Sequence, residues 1–267
     1  MVASRWALPK TIQPRCHPPD EDLPRLGVIA LATDLTFERD AARLIGWNEA
    51  VVHVARIQFD NPTTPENLSA MGPKIASAAA LIVPGAKLAA IAFACTAASV
   101  TISNRVVAEA IGNVHPGVPV VTPSGAAVAA LKALGADRAA LLTPYLPETT
   151  APMVDYFERN GINIERSACF GLADDRDMAR LEKDTLIEAA VSLDSDSVDA
   201  VFLSCTAMPS LDVIDAIEAR IRKPVVGSNQ ATLWALRGLA GLSQQTSRTE
   251  GVGRLFGLPA PSGDLFK

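Results

Sequence analysis

Ile91-Ala92-Phe93-Ala94-Cys95-Thr96-Ala97-Ala98-Ser99 is the stretch on which the chain turns. An apolar run ends at a cysteine, and a threonine and small residues follow. Val201-Phe202-Leu203-Ser204-Cys205-Thr206-Ala207-Met208-Pro209-Ser210 has the same build. In each, a short buried strand hands a Cys-Thr pair to its carboxyl end, where open α/β sheets bind ligands. The two cysteines are 205 − 95 = 110 residues apart.

Working outward, the rest of the chain reads as two copies of one scaffold. Continuous apolar runs predict buried parallel strands. They cover 26–32, 50–57, 88–94 and 119–121 in the first copy, then 138–143, 162–168, 200–204 and 224–226 in the second. Helical spacing predicts helices from about Asp34 to Leu44, 66–82 with a break at Gly72-Pro73, 102–111 and 124–134. In the second copy the predicted helices are 148–160, 177–192, 211–222 and 230–239. After Ser243 the chain is polar and turn-rich. At an offset of 105, Pro119-Val120-Val121 meets Pro224-Val225-Val226, and Leu131 meets Leu236. At 110, Thr33 meets Thr143 and Thr96 meets Thr206.

The fold class expected is therefore α/β, with two pseudo-symmetric halves. Each has a roughly four-stranded parallel sheet flanked by helices, with the site in the cleft between them. The divisions expected are an extension over 1–25, a first half over 26–122 joined by 230–267, and a second half over 123–229.

The 267 residues are 49% hydrophobic and 20% charged, an ordinary globular composition. Aromatics are only 5%, so Ala, Val, Leu and Ile must build the core. Net charge is −5 and no Lys/Arg run stands out, which argues against a nucleic-acid partner. No apolar stretch reaches membrane-span length. Residues 1–25 carry five prolines and no apolar centre, unlike a secretory signal, so a cytoplasmic location and reduced thiols are expected. The four cysteines lack C-x-x-C spacing, and His17, His53 and His115 form no ligand cluster, so no metal is expected. Cys16 and Cys169 have no partner in the repeat and read as bystander and structural residue.

Two thiols at the ends of paired strands suggest chemistry. A thiolate is both nucleophile and base, and helix N-termini lower its pKa. Both cysteines are expected where a strand turns into a helix, with Thr96 and Thr206 as hydroxyl donors beside them. Activated thiolates of that kind would label with iodoacetamide faster than Cys16. Two such groups on opposite faces of a carbon can remove and return a proton, which inverts a stereocentre. One of them can instead add to a double bond, permit rotation and leave. A cleft between two halves can also bind a small acid with no chemistry at all.

The paired F-A-C-T-A and L-S-C-T-A stretches, the L-L-T-P-Y of Leu141 to Tyr145 and the duplicated halves resemble the aspartate/glutamate racemase superfamily. Within it, the chain is most similar to maleate cis–trans isomerases and racemase-like proteins of ectoine utilisation, over roughly Leu26 to Gly241. The resemblance implies a cofactor-independent isomerase acting on a small carboxylate, as a homodimer or dimer of dimers. It makes Cys95 the first-half nucleophile or base and Cys205 the second-half acid or base. It makes Tyr145 a donor to a substrate carboxylate. Candidate substrate contacts are Thr33, Asp34, Thr96, Ala97, Tyr145, Asp175, Thr206 and Ala207. Racemisation at an α-carbon comes first, because maleate isomerases place Asn where this chain has Asp34 and Asp175. Ionised Asp only accepts hydrogen bonds, whereas Asn donates to a carboxylate. The plainer reading of both aspartates is helix capping.

Overall fold

The computed structural model describes residues 9–18 and 22–261. Of the expected extension, residues 1–8 and 19–21 lie outside the described residues, and 9–18 are exposed without regular structure.

Two four-stranded parallel sheets carry the fold. The first has β1 (Arg25–Leu31), β2 (Val51–Ile57), β3 (Ala90–Ala94) and β4 (Val120–Val121) in the order β2-β1-β3-β4. The second has β5 (Arg138–Thr143), β6 (Asn163–Cys169), β7 (Ala200–Leu203) and β8 (Val225–Gly227) in the order β6-β5-β7-β8. The identical order bears out the two-half α/β architecture read from the repeat. Central strands β3 and β7 are buried throughout, which is why they read as unbroken apolar runs. Edge strand β2 mixes exposed and buried positions and β6 exposed and half-buried ones, and the two carry His53, Arg56, Glu165 and Arg166.

The register corrects one detail of the repeat. Leu26 pairs with Ala90 and Ala139 with Ala200, so β1 and β5 are offset by 139 − 26 = 113 while β3 and β7 keep 110. The Thr33–Thr143 match is therefore coincidental.

Several helices are shorter than their periodicity suggests. The 66–82 segment breaks into α2 (Pro65–Ser69), a 3₁₀ turn and α3 (Ile75–Ala79). The helix expected over 102–111 is α5 (Asn104–Gly112), and a further short helix, α4 (Thr96–Thr101), precedes it directly after β3. Ser103 separates them at φ 81°, and its hydroxyl accepts from the Val106 N–H to start α5. The helix expected over 177–192 is likewise α8 (Asp175–Met178) and α9 (Lys183–Ser192), after α7 (Pro147–Arg159).

Two helices join the sheets. α6 (Pro123–Ala133) follows β4, and α11 (Ser228–Leu239) follows β8, beyond α10 (Ile214–Ile221). α6 and α11 pack on each other; α11 also rests on β3 and on α1 (Phe37–Leu44), and α6 on β8. Ala126, Ala127 and Ala130 of α6 are fully buried, and such small side chains let the helices approach closely. Arg237, fully buried on α11, donates to the Leu44 carbonyl and pairs with Glu49 at 3.1 Å, which pins α11 to the first half. With few aromatics available, Phe157 and Phe202 are used where they meet, at 5.0 Å between ring centroids. Fully burying one such side chain contributes roughly 1.5–3 kcal/mol.

Candidate active site

Cys95 directly follows β3 and Cys205 stands two residues beyond β7, and the two turns meet where the sheets face each other. The Thr206 hydroxyl donates to the Ala94 carbonyl at 3.1 Å, across the boundary between halves. The Thr96 hydroxyl donates to Ser228 Oγ at 2.9 Å, across the same boundary in the other sense. Both threonine protons are thus spent on bracing the halves. The expectation that they point at the sulfurs is corrected.

The two sulfurs share one electrostatic environment, in which a charge on Cys205 raises the cost of ionising Cys95. The Tyr145 hydroxyl lies beside both Cys205 and Thr96. Asp34 and Asp175 act electrostatically on the Cys95 sulfur, and Asp175 also acts on Cys205. The structure therefore brings together Cys95, Cys205, Tyr145, Thr96, Thr206, Asp34 and Asp175. Ala97 is buried in the first turn of α4. Ala207 donates its N–H to Cys205 Sγ at 3.3 Å, and its carbonyl accepts from the Thr36 hydroxyl at 2.6 Å.

The cysteine turns differ from expectation in two ways. Cys95 does stand at the N-cap of α4, but without a side-chain cap hydrogen bond. Cys205 is followed by no helix at all. Residues 204–209 are irregular, a 3₁₀ turn spans Ser210–Asp212, and α10 starts only at Ile214. Burial, rather than a helix dipole, governs both thiols. Cys95 is 5% and Cys205 4% exposed, so the cleft is closed around them. Burial pushes the Cys95 thiol far up, helped by Cys205, Asp175 and Asp34 and opposed by the Ala98 N–H. It pushes Cys205 to about 12, opposed by the Tyr145 hydroxyl and the Ala207 and Met208 N–H groups. Both are thiols at rest, and rapid alkylation is no longer expected. Burial also lifts the Tyr145 hydroxyl well above its usual range, so it stays protonated.

The aspartates have distinct roles. Asp34 Oδ1 accepts from the N–H groups of Thr36 and Phe37, at 3.0 and 2.8 Å, and so opens α1 as a cap does. Burial raises its pKa from 3.8 to about 6, against those two N–H groups and Arg56. Asp175 is not the cap of α8; Asp174 is, through the Arg176 N–H. Asp175 instead accepts from the Thr33 hydroxyl at 2.5 Å and from Asn61 Nδ2 at 2.9 Å. Asn61 also reaches Asp174 at 3.0 Å, and the Thr63 N–H donates to the Ala173 carbonyl at 2.7 Å. The loops after β2 and β6 therefore clasp each other beside the thiols. Asn61 was not anticipated, although its loop is the first-half counterpart of the one carrying Asp175. Asn229 was missed too: its amide donates to the Thr206 carbonyl and to Asp40, both at 2.9 Å, and fixes the Cys205 turn from behind. The polar Ser228-Asn229-Gln230 opening a buried helix was the available clue.

Comparison with known proteins settles the family. The family model for arylmalonate decarboxylase matches residues 71–256, more than two thirds of the chain. The chain belongs to this family. It sits in the aspartate/glutamate racemase superfamily, on the maleate isomerase branch, and it is an isomerase-type enzyme, as the duplicated Cys-Thr pair suggested. The maleate isomerase of Alcaligenes faecalis is 28% identical over 233 residues, covering 82% of this chain and 91% of that one. A maleate isomerase from Pseudomonas putida S16, solved with maleate, superposes with a TM-score of 0.81 at 28% identity, covering 88% of this chain and 98% of that one. A cysteine-to-serine variant of the Nocardia farcinica maleate cis–trans isomerase, solved with a covalently bound succinylcysteine intermediate, superposes at 0.79 with 27% identity and the same coverage.

Proposed function

We propose that this protein is a cofactor-independent cis–trans isomerase of a small α,β-unsaturated carboxylate, working through a covalent adduct on Cys95. The observation that carries the reading is the pair of buried thiols at equivalent strand ends, one of them supported by donors and the other not.

That asymmetry assigns roles. Cys205, with the Ala207 N–H and the Tyr145 hydroxyl beside its sulfur, is the better holder of a negative charge. Both thiols rest protonated, so Cys205 first releases its proton to solvent while the site is open; as a thiolate it then takes the proton of Cys95. The Cys95 sulfur then adds to one alkene carbon, and the π pair moves to the neighbouring carbon and its conjugated carbonyl. Cys205 returns the proton to that carbon. The former double bond is now single and rotates. Removal of the proton by Cys205 expels the Cys95 sulfur, and the double bond re-forms trans. Atoms and electrons balance with no cofactor. Entry to a site this closed requires the loops around Asn61 and Asp175 to part.

Racemisation at an α-carbon, put first from the sequence, would use the same two thiols. Maleate cis–trans isomerases stand among the similar proteins beside arylmalonate decarboxylase, and one of them carries a succinylcysteine; both facts favour addition and rotation. The test is proton NMR of cis-configured unsaturated acids incubated with the protein, joined to intact-mass analysis of Cys205→Ser. Trans product from the wild type and a substrate-sized adduct on Cys95 in the variant are expected. Absence of trans product from every unsaturated acid, or full activity in Cys95→Ser, sinks the reading.

A further inference from the structure

Two carboxylates stand beside the thiols, and among the described residues no cation pairs with either. Asp34 is 2% and Asp175 4% exposed. Arg56, the cation nearest Asp34, spends its donors on the carbonyls of Leu31, Ala32 and Asp34 and on the Glu38 carboxylate. Arg176 pairs with Asp174 instead. Asp175 has both oxygens engaged, by Thr33 and Asn61. Asp34 does not: Oδ1 is held by two backbone N–H groups, and Oδ2 has no hydrogen-bond partner among the described residues. Oδ2 is not among the sealed polar atoms without a partner, so it stays open to a ligand, and holding its charge in so closed a site with no donor is costly. A second like charge nearby, Asp175, deepens the cost. A substrate carboxylate placed there would add a third negative group, whereas an N–H donor would satisfy the open oxygen.

Resting on the cis–trans isomerase reading of the same site, we infer that the substrate presents an N–H donor head, an amide or an ammonium, to Asp34 Oδ2 and carries its carboxylate at its other end. The substrate class is then an unsaturated acid with one carboxylate and one nitrogen head rather than a dicarboxylate.

Asp34→Asn is the informative variant. Asn keeps the Oδ1 acceptor for Thr36 and Phe37, so the start of α1 survives, and it turns the open acceptor into a donor. Saturated analogues separate recognition from chemistry, because they have no double bond to isomerise. Calorimetry should show succinamate binding the wild type at least about tenfold more tightly than succinate at pH 7.5, with the order reversed in Asp34→Asn. A parallel titration with 4-aminobutanoate tells an ammonium head from an amide head. Asp34 is faced by Asp175, by Arg56 at its own backbone carbonyl and by the Cys95 thiol. Its ionised form is the acceptor, so the wild-type preference for succinamate should shrink as pH falls through about 6. Equal binding of succinate and succinamate at pH 7.5, an unchanged order in the variant, or no binding of either nitrogen-bearing analogue overturns the inference. A retained preference without any cis–trans turnover would instead remove the catalytic reading and leave donor recognition standing.

Discussion

Cys95 directly follows β3 and caps a short helix, while Cys205 lies two residues beyond the equivalent strand β7, within an irregular turn. The helix start gives Cys95 only the nearby Ala98 N–H, without a formed cap bond. The irregular turn bends Ala207 back to donate to the Cys205 sulfur, and Tyr145 adds a hydroxyl. On the other side, Asp34 and Asp175 both oppose ionisation of Cys95. Two copies of one sequence pattern thus yield one thiol suited to hold charge and one suited to give up its proton only when paired with the first. Pseudo-symmetry pairs the two thiols, and the local turns supply the difference in donors on which the proposed division of labour rests.

Replacing the cysteines breaks the comparison most directly. Cys95→Ser and Cys205→Ser should each lower turnover by roughly 10³-fold or more, since a hydroxyl is far less acidic than a thiol. Only Cys205→Ser should retain an adduct, because the nucleophile remains. Intact mass after incubation with an unsaturated acid checks this, and an adduct that survives only in Cys95→Ser would exchange the two roles. Next in size, Tyr145→Phe should cost about 10–100-fold in kcat. It should also slow alkylation of Cys205 while sparing Cys95, since only the former loses a donor. In the wild type both should react with iodoacetamide more slowly at pH 7.5 than exposed Cys16, as their burial requires.

What the sequence made legible follows from burial. Strands β3 and β7 announce themselves because they are covered on both faces, and the Cys-Thr repeat because both copies keep it. The short helix α4 was invisible because six residues are too few for a periodic pattern, and a left-handed φ at Ser103 sets it apart from α5. The strand offset of 113 was hidden because a change in length between the first and third strands of a half shifts one against the other without altering either apolar run. The state of the thiols was misjudged because proximity to a helix start can be read from a sequence, whereas closure of the cleft depends on loops meeting across the halves. Asn61 shows the same limit: its partner lies 114 residues away.

Asp34 sharpens the comparison through stability, since it weighs on the Cys95 side. Its pKa is raised from 3.8 unfolded to about 6 folded, so the folded state favours the proton. Stability should therefore fall as pH rises from about 4 to 6, and the whole cost, about 3 kcal/mol, is present above that window. Asp34→Asn has no proton to lose. Its advantage in Tm over the wild type should be near zero at pH 4 and largest above pH 6.5, read by thermal unfolding across that range. An advantage that does not change with pH would mean that Asp34 is not held above its usual range.

The smallest effect concerns the threonines that brace the halves. Thr206 donates to a backbone carbonyl at the end of β3, a fixed acceptor that cannot turn elsewhere. Thr96 donates to Ser228, whose hydroxyl can rotate once its partner is gone. Valine keeps the shape of threonine and removes only the hydroxyl's hydrogen bonding. Thr206→Val should therefore cost about 1–3 kcal/mol, as expected when a buried acceptor loses its donor, and Thr96→Val about 0.5–1.5 kcal/mol. Urea unfolding of the two variants at one pH measures both, with the slope m held as a check that the unfolded states match. The difference should also appear in the turns themselves: losing the Thr206 bond frees the segment that carries the Ala207 N–H, so Cys205 alkylation should accelerate in Thr206→Val, with no matching change at Cys95 in Thr96→Val. Equal costs in the two variants would mean that the braces are as symmetric as the sequence pattern, and the division between the turns would then rest on Tyr145 and Ala207 alone.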